Sequence, residues 1–116
     1  EARWWEQLIQ TAEYKEAKYR IVVSHLPIPC ASDDEKQAGA KYFADLMLPI
    51  LNQANVDLLV CGHLHPETYI FTEPTEDVHF PTLVQGYNSA LRIEIEGDNI
   101  ALKVVDENGT VLFSKP

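Results

Sequence analysis

The sequence predicts a mixed α/β fold, in which a parallel strand–helix–strand unit is followed by an antiparallel β meander. Two apolar runs, at residues 19–24 and 56–61, are the continuous kind found in buried strands, and a helical pattern lies between them. After residue 67 the apolar residues alternate in short segments that are separated by turn residues. Because a strand, a helix and a strand in this order form a crossover unit, the first two strands are expected to be parallel neighbours.

Composition limits the kinds of partner that we expect. The 116 residues are 46% hydrophobic and 23% charged, which is typical of a soluble globular domain, so we treat 1–116 as a single domain or a fragment of one. The longest apolar runs are far shorter than the roughly 20 residues that a membrane-spanning helix needs. A net charge of −9 argues against a nucleic-acid groove, which requires clustered Lys and Arg. We therefore expect neither a membrane nor a nucleic acid as a partner.

The first elements are a helix and a strand. An apolar stripe predicts a helix over residues 3–18, and because Trp4 and Trp5 point to different sides, at most one of them belongs to the core. Residues 19–24 form a strand whose apolar run is too continuous for an exposed edge. Pro27 forces the chain to turn after this strand.

A second helix and strand complete the crossover. The capping-box pattern of residues 32–35 predicts the start of the helix, and Pro49 is expected to kink it or to separate its last turn. The apolar face of this helix consists of Gly39, Phe43, Leu46, Met47, Ile50 and Leu51. The strand 56–61 ends at Cys61, which we interpret as a small core residue, whereas Cys30 lies in a loop as a free thiol.

The C-terminal half is expected to be rich in β-structure. Short antiparallel strands are predicted at 69–71 and 82–84 and in the alternating segments 91–95 and 100–104. Hairpin turns are predicted at Gly97-Asp98-Asn99 and Asn108-Gly109. The chain is thus divided into a helix–strand–helix–strand part over 1–66 and a β-rich meander over 67–116.

The main functional signal is Gly62-His63-Leu64-His65, directly after the second strand. In extended backbone, residues i and i+2 lie on one side, so both imidazoles can reach one cleft. Glycine has no Cβ and lets a ligand or another backbone approach closely. His25 follows the first strand, and the carboxyl ends of parallel strands open on the same edge of a sheet. We therefore expect the three histidines to meet.

Three neutral imidazoles at one sheet edge suit zinc, iron or manganese. If His63 and His65 reach separate ions, the site is dinuclear, an arrangement that can hold the attacking and leaving oxygens of phosphoryl transfer. The alternative is that all three histidines are ordinary polar residues at strand ends. His79 fits a surface residue better than a ligand, and Tyr87-Asn88 fits a turn, with a position facing the cleft as the alternative.

Residues 22–27 and 57–65, with a helix between them, resemble the C-terminal half of a calcineurin-like metallophosphoesterase. This superfamily includes purple acid phosphatases and many bacterial phosphodiesterases, and the resemblance covers roughly residues 3–66. It implies a four-layer α/β/β/α sandwich and hydrolysis of phosphomonoesters or phosphodiesters by a metal-bridging hydroxide. It also implies two divalent or trivalent ions of manganese, iron or zinc as cofactors.

By this resemblance His25 and His63 bind the second metal, and His65 binds the first. The D-x-H, G-D-x-x-D and G-N-H-[DE] motifs, which precede this segment in the family, are absent from the residues before it in this sequence. Neither Asp33-Asp34, interpreted as a helix cap, nor Asp57, early in a strand, replaces the bridging carboxylate. We therefore expect an incomplete site, with no activity in the isolated chain, a missing N-terminal half as its partner, and self-association through an exposed half-core.

Two other functions remain open at this point. The first is a non-catalytic metal-binding or interaction module, in which the three histidines hold one structural zinc ion. The second is a nuclease of the same superfamily, against which the absence of a basic patch argues.

Overall fold

The computed structural model describes residues 1–28 and 38–116. In these ranges the helices are α1 (Ala2–Leu8), α2 (Ala12–Glu16) and α3 (Ala38–Leu51). The strands are β1 (Ile21–Ser24), β2 (Leu58–Cys61), β3 (Tyr69–Thr72), β4 (Thr82–Gln85), β5 (Ser89–Glu96), β6 (Asn99–Asp106) and β7 (Val111–Lys115). The capping-box residues 32–35 and Cys30 lie outside the described residues.

The first sheet has the strand order β1-β2-β4-β3. Strands β1 and β2 are parallel, with Val22 opposite Leu59 and Ser24 opposite Cys61, so the predicted crossover is confirmed. The prediction that residues 82–84 belong to an antiparallel pair is only half right, because β4 is parallel to β2 and antiparallel to β3. The reason lies in the connection: residues 73–81 bring the chain back from β3, which lies at the sheet edge, to the start of β2.

The second sheet is an antiparallel meander of order β5-β6-β7. Its two hairpins turn at Gly97 and Gly109, whose φ angles are +59° and +81°, in the left-handed region that glycine adopts without strain. Both hairpin predictions are therefore confirmed.

The core lies on both faces of the first sheet. On one face, Val22 and Leu59 pack against Met47 and Leu51 of α3, with Trp5 of α1 at the margin of the cluster. On the other face, residues of the first sheet pack against residues of the second: Leu58, Leu83, Leu102 and Val104. The described residues thus form helix, sheet and sheet layers, which confirms the predicted mixed α/β class.

The predicted N-terminal helix over 3–18 is wrong as a single element. It is divided at residues 9–11 because Thr11 starts a new helix: its hydroxyl oxygen accepts the Tyr14 N–H at 3.3 Å and its hydroxyl donates to the Leu8 carbonyl at 2.7 Å. Trp4 is exposed and Trp5 packs on the core, which confirms the prediction that at most one of the two tryptophans belongs to the core.

Helix α3 departs from its prediction in two respects. The helix continues through Pro49 to Leu51, so Pro49 does not separate its last turn. Leu46, assigned to the apolar face, is 43% exposed, whereas Met47, Ile50 and Leu51 are buried as expected. None of the described helices is both long and apolar enough to cross a membrane.

The position of β1 also differs from the prediction. It was expected inside the sheet, but in the described part of the chain it pairs with β2 on one side only. Val23 alternates with the buried Val22, so its side chain lies on the face of the sheet opposite the helices, where it is 75% exposed although its run of β-branched neighbours is typical of a buried strand. Within the described residues β1 therefore has an unpaired row of backbone groups along its outer side and an uncovered apolar side chain on one face.

Cys61, at the end of β2, is a buried core residue as predicted. Burial disfavours its thiolate and raises the pKa of the thiol to about 11. Although it lies directly before the histidine motif, Cys61 is therefore a neutral thiol at physiological pH in the metal-free chain.

Candidate functional site

The three predicted histidines follow the carboxyl ends of β1 and β2. His25 comes directly after β1, and His63 and His65 come after β2. The Gly62 N–H donates to the His25 carbonyl oxygen at 3.1 Å, so the backbone pairing of the two strands extends to the site. His25 and His65 are exposed and His63 is half-buried, which leaves their imidazoles accessible from solvent.

The His25 and His63 side chains meet directly. His25 Nε2 lies 3.3 Å from His63 Nδ1, with the ring planes at 84° to each other. A tetrahedral ion with two imidazole ligands at about 2.0–2.1 Å separates the ligand nitrogens by about 3.3–3.4 Å. The two nitrogens therefore have the spacing that a shared metal ion requires, which is also the spacing of a hydrogen bond between the rings in the metal-free chain.

The backbone of the histidine motif is not the extended strand that the sequence predicts. His63 and His65 have φ angles of +70° and +52°. These angles lie in the left-handed region, which is unfavourable for residues other than glycine. The Leu64 N–H donates to the Gly62 carbonyl at 2.8 Å and closes a three-residue turn around His63. Non-glycine residues in such conformations cost on the order of 1–3 kcal/mol each and concentrate at functional sites.

His65 does not join the pair. Its Nδ1 lies 3.0 Å from the Tyr87 hydroxyl oxygen, and the two rings are 5.1 Å apart at their centroids. In the described ranges, no three His, Cys, Asp or Glu side chains are grouped closely enough to hold a metal ion. The site thus consists of the His25–His63 pair and a separate His65. The prediction that all three imidazoles come together is therefore wrong for the described structure.

Tyr87 is not among the predicted ligating or catalytic residues; the turn predicted for it is confirmed, and a position facing the cleft of a complete enzyme stays a prediction. Residues 87–88 form a turn, and the Tyr87 side chain also lies against a site histidine. The signal for this placement in the sequence is weak: a Gly-Tyr-Asn triplet directly after the strand 82–85.

A backbone clamp joins this turn to the segment after His65. It consists of three backbone hydrogen bonds. The Gly86 N–H donates to the Thr68 carbonyl oxygen at 2.9 Å, the Tyr87 N–H to the Pro66 carbonyl oxygen at 3.2 Å, and the Asn88 N–H to the Glu67 carbonyl oxygen at 3.0 Å. The Ser89 hydroxyl donates to the same Thr68 carbonyl. A Cβ at Gly86 would lie 2.7 Å from the Thr68 carbonyl carbon, so the clamp requires glycine at this position.

Gly62 behaves differently from Gly86. A Cβ at Gly62 would lie 3.9 Å from His25 Nδ1 and from the His25 carbonyl oxygen, which is ordinary van der Waals contact. The packing of the described protein atoms therefore does not require glycine at position 62. The close approach to Gly62 that the sequence predicts would have to be made by a bound ligand.

The carboxylate of Asp57 lies away from the histidines. It accepts the Arg20 N–H at 2.7 Å, before the start of β1 and so at the opposite end of the strands. Asp33 and Asp34 lie outside the described residues. His79 is exposed, as predicted, and one of its ring nitrogens contacts the Glu76 carbonyl at 3.0 Å.

Comparison with protein families gives one match. A family model for the calcineurin-like phosphoesterases matches residues 1–67, a range that contains His25, His63 and His65. A comparison with curated proteins finds no significant match.

We predict that Gly86→Ala lowers the free energy of unfolding by about 3 kcal/mol, because the added methyl group overlaps backbone that cannot rotate away. Urea denaturation measures the change. Gly62→Ala is the matched control and is expected to cost less than about 1 kcal/mol. Equal losses at the two positions would contradict the steric account of the clamp.

Proposed function

The chain belongs to the calcineurin-like phosphoesterase family, and we propose that it supplies metal-binding histidines to an enzyme that hydrolyses phosphomonoesters or phosphodiesters. The observation that carries the proposal is the 3.3 Å separation of His25 Nε2 and His63 Nδ1. This spacing supports a shared ion, because each nitrogen can point its lone pair at a metal when the proton is on the other nitrogen of its ring.

Each histidine has a distinct part in this proposal. His25 and His63 hold one ion, and His65, whose Nδ1 contacts the Tyr87 hydroxyl, holds a second through Nε2. Bound divalent ions supply a nucleophilic water at neutral pH and stabilise negative charge on the phosphoryl group. The turn around His63 and the backbone bond between Gly62 and His25 fix the directions of the first two imidazoles.

The proposed site also needs carboxylates. Two nearby cations repel each other unless negative ligands lie between them, and Asp57 is held at the other end of the strands. We place the missing ligands on an N-terminal half of the same protein, which docks along the outer side of β1. Three features favour this side: β1 pairs on one side only within the described ranges, Val23 is 75% exposed, and His25 follows at the end of the strand.

The charge of the chain bears on the substrate. A net charge of −9 repels phosphate esters at long range, so attraction depends on cations bound at the histidines. Binding of substrate is therefore expected to require metal, whichever ester is hydrolysed.

A non-catalytic metal-binding module is the second candidate, and one observation favours it. In the described part of the chain, the His25–His63 pair has no third His, Cys, Asp or Glu ligand. A single ion held by two imidazoles and solvent would satisfy this arrangement without any hydrolysis.

We predict that the chain binds one zinc ion through His25 and His63. Either His25→Ala or His63→Ala is expected to weaken zinc binding at least about tenfold in calorimetric titration, because a single imidazole remains. His79→Ala, which removes an exposed histidine outside the site, serves as the control and is expected to bind as the parent chain does. A loss in the control but not in the site variants would contradict the assignment.

We predict that the isolated chain does not hydrolyse 4-nitrophenyl phosphate or bis(4-nitrophenyl) phosphate in the presence of manganese. The protein that includes the carboxylate-bearing half is expected to turn over one of them, with a loss of about 100-fold or more in His63→Ala. Robust turnover by the isolated chain would contradict the incomplete site. Metal binding without turnover by the longer protein would favour the non-catalytic module.

A further inference from the structure

The Tyr87 hydroxyl contacts Nδ1 of His65, and which of the two groups donates depends on the ring nitrogen that carries the imidazole proton. We propose that Tyr87 is a positioning residue, whose hydroxyl oxygen accepts the His65 Nδ1–H and thereby leaves the Nε2 lone pair free for a metal ion. This inference rests on the proposed function, since it assigns the means by which His65 is prepared as a ligand.

The geometry of the contact supports this role. The Tyr87 oxygen lies 3.0 Å from Nδ1, within hydrogen-bond distance, and the rings are tilted at 56° rather than stacked. A neutral imidazole carries one proton, and the partner of one nitrogen decides which nitrogen remains a ligand. In the described part of the structure Nε2 of His65 has no hydrogen bond, so the nitrogen opposite Tyr87 is available.

The backbone around both residues holds them in place. The clamp described above fixes Tyr87 N–H to the Pro66 carbonyl, one residue after His65. Gly86 allows this approach because it has no Cβ, and His65 is held in the left-handed region with a φ of +52°. The hydroxyl and the imidazole are thus brought together by fixed backbone on both sides.

Burial does not account for the orientation of the Tyr87 side chain. It is 69% exposed, so its ring gains little from apolar packing. The hydrogen bond to His65 is the interaction that gives this side chain a defined direction. A tyrosine is also a neutral acceptor, and it fixes the imidazole without adding a negative charge beside the metal ligand.

The location of the His65 proton tests the proposal in the metal-free chain. Long-range ¹⁵N–¹H correlation spectra at about pH 8.5, where an ordinary imidazole is neutral, distinguish a proton on Nδ1 from one on Nε2. We expect Nδ1–H in the parent chain and a shift of most of the population to Nε2–H in Tyr87→Phe. Tyr42→Phe, which changes a tyrosine of similar exposure, 72%, on α3, is the matched control and is expected to leave His65 unchanged.

Two results would overturn the proposal: a proton on Nε2 of His65 in the parent chain, or the same proton location in the parent and in Tyr87→Phe. An unchanged melting temperature of the variant shows that any shift is local. The measurement uses neither metal nor substrate, so its failure leaves zinc binding by His25 and His63 intact. Conversely, a failure of zinc binding leaves the proton location interpretable.

Discussion

The parallel pairing of β1 with β2 is the constraint on which the rest of the site depends. Its register places Ser24 opposite Cys61, so the residues that follow, His25 and Gly62, are also neighbours and share a backbone hydrogen bond. A slip by one residue would turn Val22 away from the helices and expose it, so burial of the core fixes the register. Two imidazoles that are 38 residues apart in the sequence are thereby held 3.3 Å apart.

The same strand links the proposed site to the proposed partner. β1 carries His25 at its end and is open along its outer side within the described residues, where Val23 is exposed. A segment that pairs there would extend the sheet beyond β1 and place its own side chains beside Val23 on the same face. It would also bring side chains to the sheet edge that holds the histidines. In this account, completion of the sheet and completion of the metal site are one event, and the isolated chain is therefore predicted to lack activity.

Features that apolar runs and turn residues mark clearly could be predicted, whereas local turns that a regular pattern conceals and contacts that distant backbone sets could not. The crossover and the turns at Gly97 and Gly109 follow from apolar runs and turn residues. The break in the first helix was missed because a periodic apolar stripe concealed the cap at Thr11. The sequence predicts an extended backbone for the histidine motif, whereas the chain turns around His63. The contact between Tyr87 and His65 depends on a backbone clamp that no spacing in the sequence indicates.

The most direct test of the central claim is the position of a zinc ion in crystals of the chain, located by anomalous diffraction. The account predicts one ion between His25 Nε2 and His63 Nδ1, at about 2.0–2.1 Å from each nitrogen. The two rings are expected to keep the spacing that they have without metal, since that spacing already matches a shared ion. At saturating zinc, a pair that holds no ion, or zinc bound only at histidines other than His25 and His63, would contradict the account.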